Sequence, residues 1–436
     1  MTGPLTGSFA AEADRRLAET DHLLTTAYPG DNGSRQPVHT VYMPADRFTV
    51  GTINEWGSAA LRAADSAGGI DQLAKLVGVS NAVVEPTVRK LTHEPIEDLR
   101  LDFEDGYGNR GDAIEDADAA AAARAVHAAT QTGAAPPFIG IRFKCFETPA
   151  RRRALRTLEL FLLTLADAGE LPTGLMLTLP KVSTPDQVTV MVEACETMET
   201  VIGLRPGQLT FEVQMETPPM ILGADGRCPI PAMIHHSNGR ISGLHYGTYD
   251  YSDSLQIAAQ YQSMEHPAAD HAKVIMQVAA AGTGVRLSDG STNILPIGDT
   301  TQQEAAWTLH ARLVRRSLER GFYQGWDLHP AQLPTRYLAT YAFFRDGFTN
   351  AATRLRNYTQ QANSNVLDEP ATARALARVI HRGLTAGALS AQEVEAATEL
   401  STSKLFDLAY PTNPNKHPQP SQRRKIQLTT ETRCIR

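Results

Sequence analysis

Two short acidic segments hold the side chains best suited to chemistry in this chain. They are Phe211-Glu212-Val213-Gln214-Met215-Glu216-Thr217-Pro218 and Gly243-Leu244-His245-Tyr246-Gly247-Thr248-Tyr249-Asp250-Tyr251-Ser252. Each opens as a run with strand propensity and ends in a carboxylate followed by a turn. An unpaired acid is expensive to bury, so an acid ending an apolar strand is exposed, paired with a base, or bound to a cation. Taken alone, Glu216 reads as exposed or salt-bridged. Asp250 alone reads equally well as a turn or helix cap, because Ser252 and Asp253 are capping types too.

Company changes that balance. Glu104, Asp105, Arg142 and Lys181 also follow short apolar runs, and a parallel α/β barrel gathers the C-terminal ends of its strands at one mouth. There Glu216 and Asp250 would anchor a hard divalent cation, Mg²⁺ or Mn²⁺, and leave positions open for substrate oxygens. Arg142 and the cation would polarise a carbonyl and neutralise a developing enolate or alkoxide. Glu104 and Asp105 would bind water around the ion or orient Arg142; an ordinary internal salt bridge is the alternative. Lys181, among so many acids, reads as a charge partner rather than a Schiff-base lysine. His329 before Pro330 invites a general-base role, although a lone histidine is more often structural. His235 and His236 are adjacent and diverge, which suits zinc poorly.

The elements that would position these groups follow in order. A helix over 9–27 stops at Tyr28-Pro29-Gly30-Asp31-Asn32-Gly33. Strands are expected at 38–43, from 99 into the acidic turn at 105, at 137–144, 175–179 and in the two opening segments, and the stretch 321–330 leads into a final strand and loop. Helices are expected between them, including an alanine-rich one over 112–130 and others near 149–168, 185–201 and 302–320. The stretch 253–281 reads as largely helical, interrupted at Pro267. This alternation predicts parallel β/α units. The fold class is therefore α/β, a (β/α)8 barrel over 38–335 with an N-terminal helical extension (1–37). Helices over 335–362, 369–386 and 391–408 form a C-terminal unit (336–410), followed by a flexible tail (411–436).

Composition narrows the function classes. The 436 residues carry a net charge of −7, which gives no support for a nucleic-acid surface. Cys145, Cys195, Cys228 and Cys434 show no paired spacing, so neither structural zinc nor a disulfide framework is expected. Met1 to Ala10 lacks the basic and apolar regions of a signal peptide, and no apolar run approaches the ~20 residues of a membrane span. A cytoplasmic protein without membrane partners is expected.

The same segments resemble the superfamily of malate synthases, citrate lyase β-type lyases and HpcH/HpaI-type aldolases. Leu101-Asp102-Phe103-Glu104-Asp105 is similar to the malate synthase "DFED" strand, and Leu179-Pro180-Lys181 to its "LPK". Met215-Glu216-Thr217 resembles the "ET" metal-ligand strand, and Gly247 to Ser252 the "GxxDYxxS" strand. Arg142 stands where the family keeps its substrate-polarising arginine. Gly325 to Gln332 looks like the lyases' terminal "IHPxQ" segment. Leu367-Asp368-Glu369-Pro370-Ala371-Thr372 is similar to the malate synthase "MEDxAT", in which the aspartate is the base toward acetyl-CoA. By register that base falls on Glu369, with Asp368 one residue before it; a helix start explains the same residues. Gly106-Tyr107-Gly108-Asn109 departs from the family's continuation of "DFED", which leaves glyoxylate and acetyl-CoA specificity open.

The resemblance implies a metal-dependent carbon–carbon lyase or synthase acting on a 2-oxo or 2-hydroxy acid, with Mg²⁺ or Mn²⁺ as cofactor. One version joins an acyl-CoA enolate to a 2-oxo acid, or runs the reverse cleavage, with Glu369 or Asp368 as base. An aldolase version turns the oxo acid itself into the enolate and needs neither coenzyme A nor that base. A third reading is a non-catalytic ligand-binding barrel. A homo-oligomer is compatible with all three.

Overall fold

The computed structural model describes residues 3, 5–360 and 369–411. Eight parallel strands alternate with helices: β1 (His39–Pro44), β2 (Asp98–Asp102), β3 (Phe138–Arg142), β4 (Leu175–Leu179), β5 (Phe211–Met215), β6 (Ile241–Tyr246), β7 (Arg286–Ser288) and β8 (Gly325–Asp327). Strands adjacent in sequence are adjacent in the sheet, and β1 also pairs with β8. The remaining seam closes where Ser288 bridges Gln324 and the Asp289 N–H donates to the Gln324 carbonyl at 2.9 Å. The result is an α/β barrel of the expected class. β7, with three residues, is too short for its alternation to be read in advance.

Period-two alternation explains how these strands fold. Leu99, Leu101, Ile139, Ile141, Leu177, Leu179, Phe211 and Val213 turn outward into one core shared with the surrounding helices. Between them, Asp98, Arg100, Asp102, Arg142, Thr178, Glu212 and Gln214 are buried polar side chains that face the barrel interior. Those charges are tolerable because they are paired. Arg100 is clasped by Asp98 and by Glu212, the latter at 2.9 Å, and His245 Nε2 meets Glu212 at 2.9 Å. Gly140 lets β3 and β4 approach: a Cβ there would stand 1.6 Å from the Met176 carbonyl oxygen.

Local signals start several helices. Thr184 with Gln187, and Asp299 with Gln302, form capping boxes for Pro185–Ile202 and Thr300–Glu319. Pro267 does not interrupt a helix; it is the first residue of Pro267–Ala280, behind a His266 cap. The stretch expected as one helix over 391–408 is two, Ala391–Thr398 and Thr402–Ala409. Glu399 adopts a left-handed φ of 59° between them, and Ser401 caps the second.

At the N-terminus, helix Ser8–Ala27 buries none of its residues. At the C-terminus, helix Leu333–Thr359 leaves the mouth end of β8 and runs across the boundary expected at 335/336. Its 27 residues span about 40 Å, carrying the chain past the far end of the barrel. Helix Pro370–Thr385 returns alongside it. Gly383 lies beside Phe344, while Ala373 and Ala377 share a core with Ala352 and Leu355. Asp368 and the tail from residue 412 lie outside the described residues. No helix among the described residues is long and apolar enough to cross a membrane.

Candidate active site at the barrel mouth

β5 delivers Glu216 one residue past its end, with the side chain buried. Its Oε1 accepts the Lys181 backbone N–H at 2.8 Å. Gly247 makes the room, because a Cβ there would meet Glu216 Oε2 at 2.3 Å and Glu216 Cβ at 2.5 Å. Asp250 is not at a strand end but in the first turn of helix Thr248–Ser254, which follows β6 directly, and it is partly exposed. Burial first, and the Asp250 charge second, push the Glu216 carboxyl up to about 8. A hard cation between the two would replace the proton that burial favours.

Lys181 ties the cluster together. Its Nζ donates to Glu104 Oε1 at 2.7 Å and to Asp105 at 2.9–3.0 Å, and lies 3.4 Å from Asp250 Oδ1. Its backbone takes a left-handed φ of 51°, rare for a side-chain-bearing residue. Burial works against its charge, but Glu104 and Glu216 outweigh that and hold the ammonium pKa up. Lys181 is thus a charge partner, as its acidic surroundings in the sequence imply.

Arg142 ends β3 and grips Asp102 with both Nε and Nη2 at 2.7 Å. Asp102 in turn accepts the N–H groups of Glu104 and Gly106 at 3.0 and 2.8 Å. The orienting acid is therefore Asp102, with Glu104 Oε2 at 3.4 Å from Arg142 Nη1 and Asp105 at 3.9 Å. Asp102 was legible only as part of a motif; its inward alternation with Asp98 and Arg100 was the signal. The Arg142 guanidinium also lies 4.7 Å over the Tyr42 ring, and Nη1 is the arm not spent on Asp102. Burial, against the pull of Arg142 and Lys181, lifts the Glu104 carboxyl to about 7.

His329, two residues past the mouth end of β8, caps the turn Pro330–Gln332, its Nδ1 accepting the Ala331 N–H at 3.2 Å. Glu369 is exposed at the start of helix Pro370–Thr385. The other end of that helix touches the closed end of the barrel, where Arg382 donates to Gln36 and Asp31 at 2.9 Å. Glu369 lies beyond that end, away from Glu216 and Asp250.

Among the described residues, no group of three or more His, Cys, Asp or Glu side chains is arranged to hold a metal. The donor set at the mouth is two carboxylates, which suits an oxygen-preferring cation completed by water or substrate. Fold and mouth together define a (β/α)8 barrel with an acid pair, a clamped arginine and a lysine at its C-terminal face. The chain belongs to the DUF6986 family, described as a domain of unknown function, whose model matches residues 17–412.

No curated protein matches the chain. Among solved structures it is similar to a lead(II) complex of Haloferax volcanii malate synthase, at 15% identity and a TM-score of 0.45, over 86% of this chain and 88% of that one. It is also similar to Mycobacterium tuberculosis CitE with magnesium, acetoacetate and coenzyme A, at 16% and 0.47, over 81% and 99%. A third is a Burkholderia cenocepacia HpcH/HpaI aldolase/citrate lyase family protein, at 16% and 0.39, over 68% and 90%.

Proposed function

We propose that this chain is a divalent-cation-dependent enzyme that makes or breaks a carbon–carbon bond beside the carbonyl of a 2-oxo or 2-hydroxy acid. The observation that carries this reading is the convergence of buried Glu216, Asp250 and Asp102-clamped Arg142 around Lys181. Glu216 and Asp250 would hold Mg²⁺ or Mn²⁺, which when bound supplies a Lewis acid toward the acid's oxygens. Arg142, with two nitrogens on Asp102, presents Nη1 to the oxygen on which negative charge develops. Glu104, raised to about 7 by burial and lacking a hydrogen bond at Oε2, is poised to take or give a proton near neutral pH.

Within that class, the single-chain geometry supports the aldolase-type version, in which the oxo acid itself becomes the enolate. The acyl-CoA version needs a C-terminal base, and Glu369 stands at the opposite end of the barrel; a second copy would have to supply it. Calorimetric titration with Mg²⁺ plus oxalate or pyruvate tests the core of the proposal. Wild type is expected to bind the acid only with the cation, and Glu216→Ala to lose at least tenfold in affinity. Absence of metal-dependent binding in wild type would remove the enzymatic reading and leave a binding barrel.

A further inference from the structure

The closed end of the barrel, opposite the mouth, carries a cleft of about 910 Å³. That lies within the ~300–1,000 Å³ of small-molecule sites. Helix Ser8–Ala27 forms one wall through Leu23 and Ala27, Met176, Ile234, Ile241 and Val285 form an apolar strip, and uncharged polar side chains line much of the remainder. The segment after that helix is tied across the barrel end: Tyr28 packs edge-on against His235, and the Gly30 N–H donates to the Gly282 carbonyl at 2.8 Å.

Among the described side chains lining this cleft, Arg286, the first residue of β7, is the only Arg, Lys, Asp or Glu. It donates to Ser34 Oγ, and among the described residues no carboxylate lies within ion-pair distance of it. The nearby Arg382 spends its own charge on Asp31 and Gln36. Arg286 also differs from the other arginines whose pKa is shifted. Arg35, Arg100, Arg142 and Arg240 are all raised by carboxylates, whereas burial, with repulsion from Arg382, lowers Arg286 despite Asp31 and Asp98. A partly desolvated cation with no carboxylate in ion-pair contact, at one end of a cleft with both apolar and polar walls, carries a cost that a bound anion relieves.

We propose that this cleft is a second ligand site, for a small organic anion whose oxyanion head rests on Arg286 and Ser34 and whose apolar body lies along Met176, Ile241 and Leu23. The site is independent of the cation site at the mouth. Its head group is a carboxylate or a phosphate ester, the two oxyanions that a guanidinium fork accepts in the same way.

The test is calorimetric titration of the full chain at low ionic strength with octanoate, octyl phosphate, inorganic phosphate and octylamine. Octanoate or octyl phosphate is expected to bind with a stoichiometry of one, the tighter of the two identifying the head group. Inorganic phosphate is expected to bind at least tenfold more weakly, and octylamine not at all. Arg286→Gln is expected to weaken binding at least tenfold. Leu23→Glu, at an exposed helix position where folding is not at stake, is expected to weaken it through like charge. Glu216→Ala is expected to leave it unchanged, which separates this site from the proposed active site. Equal affinity of wild type and Leu23→Glu, equal affinity of wild type and Arg286→Gln, or no binding of either octyl anion to wild type would overturn the proposal.

Discussion

Glu216 shows how burial and chemistry are linked at the scale of one residue. A carboxyl with an ordinary value of 4.5, held at about 8 by burial and Asp250, binds its proton more tightly folded than unfolded. Its contribution to stability is therefore full below about pH 4.5 and is lost as pH rises through about 8. Glu104, lifted to about 7, acts with the same sign. A cation that replaces the proton reverses the loss. The apparent affinity for Mg²⁺ is expected to rise about tenfold per pH unit from pH 6 toward pH 8 and then level off, because one proton must leave for each ion bound. The melting-temperature gain on adding Mg²⁺ is expected to be larger at pH 8 than at pH 6. Titration calorimetry and thermal melts at three pH values check both; a pH-independent Mg²⁺ affinity would argue that Glu216 is not a ligand.

At the scale of elements, the site depends on how strand ends meet the turns that follow them. β5 ends so that Glu216 points inward, and β6 ends in Gly247, whose missing side chain leaves the space Glu216 occupies. The backbone of Gly247 has a φ of −97°, open to any residue. Gly247→Ala therefore tests space and not backbone conformation. The added methyl is expected to displace the near end of the Glu216 side chain and cut Mg²⁺ affinity at least tenfold. The cost in stability should stay within the ~1–3 kcal/mol typical of overpacking. Unchanged Mg²⁺ affinity in a folded Gly247→Ala protein would mean that Glu216 can bind from elsewhere in the mouth. Gly140 marks the contrasting case: its added Cβ would strike the Met176 backbone, which cannot rotate away.

Across the whole molecule, the barrel separates two ends with different chemistry. The mouth gathers Glu104, Asp105, Lys181, Glu216 and Asp250, while the closed end is covered by the C-terminal helices and the segment before β1. Helix Pro370–Thr385 touches the closed end, so Glu369 cannot reach the mouth of its own barrel. Glu369→Gln is accordingly expected to keep turnover with 2-oxo or 2-hydroxy acids within about twofold, measured as product formation by mass spectrometry. A loss of 100-fold or more would point to the acyl-CoA version with the base supplied by a second copy. Mixing Glu369→Gln with Glu216→Ala would then restore part of the activity.

What was legible in the chain alone was what local chemistry and periodicity encode. Strand runs ending in acids gave the barrel and the candidate residues Glu216, Asp250, Arg142 and Lys181, and capping residues and propensity gave most helices. β7 escaped because three residues carry no period. Pro267 was misjudged because a proline that breaks one helix can equally start the next. Only the tertiary structure decided which acid holds Arg142, since Asp102 and Arg142 are brought side by side by β2–β3 pairing. Only it raised Glu216, because burial is a property of the closed barrel, and only it carried Glu369 to the far end. Partners 35 to 112 residues apart in the chain, such as Lys181 with Glu216 and Arg100 with Glu212, become neighbours through strand order. Strand order is set by which faces can be buried together, and no short segment contains that information.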